Sequence, residues 1–453
     1  MGGETTSAIG HLPAGWHLVS LGDLATHIGS GATPRGGSAV YLDQRIKYAL
    51  VRSQNVFDRF FNEEGLAYIS DPDAAALRGV ELQENDVLLN ITGDGITFGR
   101  WCLVPGRILP ACVNQHVVRI RCDQRKCAPG YLLSFLTHPL AKGYIESFNA
   151  GGSRRALTKG HIESFQVPLP QLNEQQAIAC ILGALDDKIE LNRRMNQTLE
   201  AMARAIFKSW FVDFDPVRAK AIGQEPAGLD PDIANLFPDS FEESESGEIP
   251  RGWTLRTVDE IAHINARTLG CRDSLDIIDY IEISEVMRGE VNMITRYQRG
   301  AEPSRARRRL QHGDSAVSTV RPDRGSYFLC LNPPETLIAS TGFAVLTPKD
   351  GNWAFLHALS TRPEFGQDLG RLADGGAYPA IRPEAIGGRQ AILPNRIQLI
   401  TAFDRVAQPL LLRAEMNRNE NRALAALRDT LLPRLISGEL RLPDVERIVG
   451  RCI

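Results

Sequence analysis

The chain has 453 residues, with 51 Lys and Arg against 54 Asp and Glu and a formal net charge of -3. At roughly 150 residues per domain this length holds about three domain-sized units, and 43% hydrophobic with 23% charged residues excludes a wholly disordered chain. No apolar run approaches the ~18 residues of a membrane helix and residues 1–10 lack a signal pattern, while eight scattered cysteines without a C-x-x-C pair argue against a disulfide frame or zinc site and predict reduced thiols in a cytoplasmic protein.

Behind a short tail (1–12), a first globular segment spans 13–170. It opens on Pro13-x-Gly15-Trp16, passes through a short amphipathic stretch ending in Leu24-Ala25, and closes on GGSRRALTKGHIESFQVPLP (151–170). Between these ends lie apolar runs bounded by turn signals, such as VLLNITGDG with Asp86 before it. They predict short strands mixed with a helix or two, an α+β unit. Residues 171–222 then read as one helix, with Asn173 the expected N-cap and Gln176 completing a capping box. Ile178, Leu182, Leu185, Ile189, Asn192, Asn196, Leu199, Ala203, Ile206 and Trp210 fall at alternating spacings of four and three, the period of a coiled-coil seam. From Glu174 to Trp210 such a helix would span ~55 Å at 1.5 Å per residue.

Residues 223–250 hold eight acids, no Lys or Arg, and four prolines (Pro226, Pro231, Pro238 and Pro250). This composition predicts an inter-domain linker, partly extended. The rest of the chain carries +5 against this segment's -8, so the bulk charge conceals a slightly basic body.

The sequence then repeats. Pro250-x-Gly252-Trp253 matches the first opening and leads to Ile261-Ala262, and GGAYPAIRPEAIGGRQAILP (375–394) aligns without gaps on 151–170. Seven of those twenty positions are identical, among them Gly151/Gly375, Gln166/Gln390 and Pro170/Pro394. A second globe (251–396), containing SAVSTVRPDRG with its Asp314, is expected to share the first one's fold. In 397–453 the seam recurs, shifted by 225, as Phe403, Ala407, Leu410, Ala414, Asn417, Asn421, Leu424, Arg428, Leu431 and Leu435. Both asparagines return in place, and buried Asn in a seam costs stability while fixing register and partner. Two such helices, each following one globe, are expected to pack on each other antiparallel.

The strings LPAGW, VPLPQLNEQQAI, LDDKIELNRRMNQTLEAMARAIFKSWFVDFDPVRAK, ANLFPDSFEESESGEIPRGW, STGFAVL and LRDTLLPRLISGEL resemble type I restriction–modification specificity subunits nearly end to end. The resemblance implies that each globe is a target-recognition domain reading one half of a bipartite, asymmetric site in double-stranded DNA. It further implies that the paired helices act as a ruler and seat two methyltransferase subunits, with restriction–translocase subunits joining. It implies no catalysis and no cofactor on this chain, with S-adenosylmethionine, ATP and Mg expected on the partners. Read from the residues alone, a ~55 Å helix could hold two readers about one DNA turn (~34 Å) apart, and unlike copies suit an asymmetric site. The alternative is a degenerate scaffold or inhibitor that assembles through the helices without reading DNA.

Catalytic strings are weak by comparison. Asn332-Pro333-Pro334-Glu335 has Glu where an adenine methyltransferase needs an aromatic to stack on the flipped base. Gly93-x-Gly95-x-x-x-Gly99 lacks the following helix and acid of a dinucleotide loop, and Asp186-Asp187-Lys188 sits within the seam helix, where surface pairing is expected. For DNA contact, basic and polar groups on loops are the candidates, since phosphate contacts position and base-edge contacts specify. In the first globe these are Thr33, Arg35, Arg100, Asn114, Gln115, Arg154, Arg155 and Lys159. Of these, the Arg forks suit phosphate or guanine, and Asn and Gln suit adenine. In the second they are the run Arg305, Arg307, Arg308 and Arg309, then Arg321 and Arg324 on a Pro-containing turn, and Tyr378 with Arg382 in the region matching Arg154.

Overall fold

The computed structural model describes residues 12–13, 15–77, 79–93, 97–147, 155–245, 247–270, 273–375 and 379–440. Its contacts divide the chain into a first unit, Met1–Asn192 with Asn419–Ile453, and a second unit, Arg193–Arg418.

In the first unit the strands Ala25–Ser30, Val117–Cys122, Val87–Asn90 and Trp101–Leu103 form an antiparallel sheet in that order. Val117–Cys122 lies in the middle of this order, and its Val and Ile side chains suit a pleated surface covered on both faces. The helix Pro129–Leu136 shares its core through Tyr131 and Leu132. A second sheet sets Tyr48–Val51 between Ala111–Val113, parallel, and Ala67–Ile69, antiparallel. The repeated ends of the segment meet: His17–Ser20 pairs antiparallel with Gln166–Leu169.

The second unit repeats this plan. Ala262–Ile264, Phe343–Pro348, Asp314–Ser318 and Tyr327–Cys330 make the corresponding antiparallel sheet. Thr295–Gln298, Ile277–Ile281, Leu337–Ser340 and Ala306–Arg309 make the other, again with one parallel pair. Trp253–Thr257 closes on Gln390–Pro394, and Trp253 is buried while its counterpart Trp16 is half-buried against Tyr131. The α+β class expected from the repeat is the class observed.

Each globe is followed by a 40-residue helix, Leu172–Phe211 and Ile397–Ile436, about 60 Å long. Each helix contributes to both units. In the first unit Ile178, Leu182, Leu185 and Ile189 share a core with Leu424, Leu431, Leu432 and Leu435. Asn192 Nδ2 donates to Asn421 Oδ1 at 2.9 Å. In the second unit Ala203, Phe207, Trp210 and Phe211 share a core with Phe403, Ala407 and Leu411, and Asn417 Nδ2 donates to Asn196 Oδ1 at 2.9 Å. The pairing is antiparallel, and both asparagine pairs meet across it.

Three details differ from the sequence reading. The first helix starts at Leu172, so Asn173 lies inside its first turn and bonds Glu174 N at 2.9 Å. Leu199, Ile206 and Leu410 are only half-buried, while Phe207 and Leu411 take the deeply buried places. A helix that packs on a globe as well as on a partner buries a wider stripe than a seam, and a straight helix drifts from a 3.5-residue repeat. The acidic segment is folded within the second unit: Pro231–Ala234 is helical and Phe241–Ser244 pairs with Gly247–Pro250. Phe237 is buried against Trp210, and Lys220 Nζ donates to the carbonyls of Ala234 and Phe237. Its aromatic residues overrode the prolines and charge.

Candidate nucleic-acid interface

In each unit three segments meet at the end of the main sheet, tied by the same backbone bonds. In the first, Thr92–Gly93 pairs with Arg155–Ala156, Leu157 N donates to Ile91 O at 3.1 Å, and Ile91 N donates to His116 O at 3.1 Å. In the second, Val320 bridges Ala380, Ile381 N donates to Thr319 O at 2.9 Å, and Thr319 N donates to Gly342 O at 2.8 Å. One junction is thus built twice, from a turn (92–93 or 320–321), a strand tip (115–116 or 341–342) and the repeated Gly-Gly segment.

In the first unit the tip is rigid. Gly31 N donates to Asn114 O at 3.1 Å, and a Cβ on Gly31 would stand 1.7 Å from Val113 O, so only glycine allows this approach. Asn114 is buried, with its Oδ1 accepting from His116 N at 3.1 Å. It shapes the turn and is not available to read adenine. Gln115 is exposed, but its Oε1 accepts from the Thr33 hydroxyl and its Nε2 donates to His116 Nε2 at 3.2 Å. His116 Nδ1 in turn lies 2.8 Å from Thr92 Oγ1, within hydrogen-bond reach. Bidentate adenine recognition uses both ends of an amide, and both ends of Gln115 are engaged.

The other candidates of this unit separate. Arg100 stacks over Phe57, 4.4 Å from the ring centroid. Arg35 is exposed on the loop after Pro34, and Lys159 is exposed beside Glu163 at 3.4 Å. Arg155 stands in the junction strand, while Arg154 lies outside the described residues. Burial first, then the charges of Arg119, Arg121 and Lys159, hold His27 below its ordinary value, with Asp86 opposing them. His116 and Thr92 were not singled out from the sequence. Their only signal was adjacency, to Asn114-Gln115 and to the glycine turn.

In the second unit the densest basic run divides in two. Arg307 faces Glu302 at 3.6 Å, Arg309 pairs with Asp273 at 2.8 Å, and Arg308 is half-buried with its Nε sealed from solvent. These three serve the unit's interior, because Ala306–Arg309 is a strand of the second sheet rather than a loop. Arg305 is exposed instead, and its carbonyl accepts from Thr341 N at 2.8 Å, beside the junction tip. Arg321 N donates to Pro379 O at 2.8 Å, and Arg324 and Arg382 are exposed on the two segments so joined. Tyr378 lies outside the described residues.

Polar networks that no sequence pattern announced fasten each globe to its share of the helices. Asp186 accepts from Arg59 at 2.8 and 2.6 Å and from Arg428 at 2.9 Å. It is therefore an internal bridge, not a surface charge. Gln175 Oε1 accepts from Ala128 N at 2.9 Å, and Asp404 accepts from Ala354 N and Phe355 N. Each thus satisfies the start of a globe helix from the side of a long one. In the second unit Glu200 binds Arg418. Among the described residues no group of three His, Cys, Asp or Glu could hold a metal ion, and no helix is long and apolar enough to cross a membrane.

The fold so built is a duplicated α+β globe, each copy followed by one helix of an antiparallel pair. Residues 13–201 match the family model for the type I restriction modification DNA specificity domain. It is 25% identical to the type I restriction enzyme HindI specificity subunit of Haemophilus influenzae, over 94% of this chain and 99% of that one. To the type I restriction enzyme MjaIX specificity subunit of Methanocaldococcus jannaschii it is 21% identical, over 67% of each. The crystal structure of the S subunit of a type I restriction–modification system from M. genitalium shares its fold, with a TM-score of 0.52 and 15% identity over 93% of this chain and 96% of that one.

Proposed function

We propose that this chain is the DNA-reading subunit of a type I restriction–modification complex, each unit reading one half of a bipartite, asymmetric site in double-stranded DNA. Two methyltransferase subunits seat on it, and restriction–translocase subunits join them. Catalysis belongs to those partners, with S-adenosylmethionine, ATP and Mg. The observation that carries this reading is the whole globe built twice on one backbone plan with different side chains. Identical readers would select a palindrome, whereas unlike readers on one frame suit unlike half-sites.

The test is to express the chain with its methyltransferase partners, map methylated adenines, and then exchange residues 251–396 for the equivalent globe of a relative. One half of the methylated sequence is expected to change while the other stays. If neither half changes in an assembled, active complex, the chain is a scaffold and the reading fails.

A further inference from the structure

We propose that the junction is a clamp for the DNA phosphate backbone rather than a base reader, and that Arg305, Arg324 and Arg382 supply its charge in the second unit. The inference rests on the DNA-recognition reading above and assigns roles within it. Arg321 and Arg324 sit on the turn that follows Asp314–Ser318, Arg382 follows the segment bridged to that turn, and Arg305 flanks the tip. Arg305, Arg324 and Arg382 are exposed and make no ion pair among the described residues. Of the acids in these segments, the Asp323 side chain lies against Gly370, Glu384 is close enough to Arg308 to favour its charge, and Asp374 is exposed and bridged through its backbone to Ala380. In the run next door, by contrast, Arg307 faces Glu302 and Arg309 pairs with Asp273.

Comparison of the two copies separates phosphate from base. At the first unit's junction the basic residues are Arg155, in the paired strand, and Lys159, just past it. Their aligned positions in the second unit are Pro379 and Pro383, and the position equivalent to Arg321 is Gly93. Positive charge has stayed at the junction while the positions that bear it have moved. Base readout requires a guanidinium or amide at a fixed backbone position and angle, whereas a phosphate contact requires only charge and donors within reach. At the first unit's tip the exposed Gln115 is held by Thr33 and His116.

The experiment uses the full chain in complex with its methyltransferase subunits, carrying Arg324→Ala with Arg382→Ala, and Arg324→Lys with Arg382→Lys. Binding to a duplex with the methylated sequence and to a scrambled duplex is measured against salt, and methylated adenines are mapped. The alanine pair is expected to weaken both duplexes by the same factor, roughly tenfold, and to flatten the log–log salt slope by about two, near 0.9 for each phosphate left without its arginine. The methylated sequence is expected to stay unchanged, and the lysine pair to keep the slope. Relaxed sequence preference, or unequal weakening on the two duplexes, overturns the clamp in favour of base readout. An unchanged slope and affinity overturns it outright. If the alanine pair lowers the melting temperature, Arg324→Gln with Arg382→Gln repeats the measurement. A wild-type complex without sequence preference would sink the recognition reading instead, while the slope would still report on the clamp.

Discussion

Asp186 offers the sharpest test of how a globe is held to its helices. Its carboxylate, on the first long helix, takes three charge-assisted bonds, two from Arg59 and one from Arg428. The Arg59 side chain is 6% exposed and that of Arg428 17%. Removing Asp186 leaves Arg59 with only neutral partners, the hydroxyls of Thr137 and Ser134, while Arg428 keeps Asp429. Breaking a buried pair from one side costs about 3–5 kcal/mol, and because Arg428 keeps a partner, Asp186→Ala should fall near the lower end. For a unit of this size each kcal/mol lowers the melting temperature by about 2–4 °C, so a drop near 10 °C is expected. Calorimetry gives the shift, and hydrogen exchange over Pro129–Leu136 shows whether the first unit is the part that loosens. A shift below 2 °C would refute the bridge. The cause is tested separately by Arg59→Met, Asp186→Leu and Arg428→Leu together. If unpaired charge is the cost, the triple variant regains most of the stability, and a triple variant as unstable as the single would show that it is not.

Three further outcomes are expected. Asn192→Leu alone removes the donor to Asn421 Oδ1, while Asn421 Nδ2 keeps the Ile189 carbonyl, and should cost about 1 kcal/mol, while Asn192→Leu with Asn421→Leu should at least recover it and permit mispaired helices. Denaturant melts and cross-linking read both, and an unchanged single variant would count against the buried pair. Burial raises the Asp314 carboxyl to about 6 despite bonds from Thr347 and Gln311. The folded state therefore holds a proton that the unfolded chain releases above its ordinary value of 3.8, and wild-type stability falls as pH rises from about 4 to 6. Relative to wild type, Asp314→Asn should gain up to about 3 kcal/mol between pH 4 and 7, and a pH-independent difference would disprove the linkage. Arg309→Ala, which opens the pair with Asp273, should destabilise the second unit without altering the salt slope of DNA binding, and a flattened slope would place Arg309 on the DNA.

The fold was legible where patterns are periodic or repeated. The seam from Ile178 to Trp210, its asparagines, and the paired Gly-Gly segments all follow from spacing and self-similarity, which a single chain displays. The contact surface was legible only as composition. Arg305 and Arg309 are four residues apart in one basic run, yet one flanks the junction and the other pairs with Asp273, 36 residues away. Sequence shows a charge but not which neighbour the sheet register will bring to it. The same limit hid Asp186, whose partners Arg59 and Arg428 come from 127 residues before and 242 after. In the acidic segment, counting charges missed that Phe237 and Ile249 bury and fold it.

Asp86 and Asp314 show what duplication leaves to chance. Both accept a backbone bond from the residue three before, Gln83 N and Gln311 N, at 2.8 Å. Beyond that bond Asp86 meets Arg121 at 2.7 Å, while Asp314 meets only the Thr347 hydroxyl. One corner, built twice, thus holds its carboxylate against a guanidinium in one copy and against a hydroxyl in the other while keeping its shape. In the second copy burial gives that corner a proton-dependent stability. A chain with two versions of one scaffold in fixed proportion is its own control, since one corner can be compared with the other within one molecule.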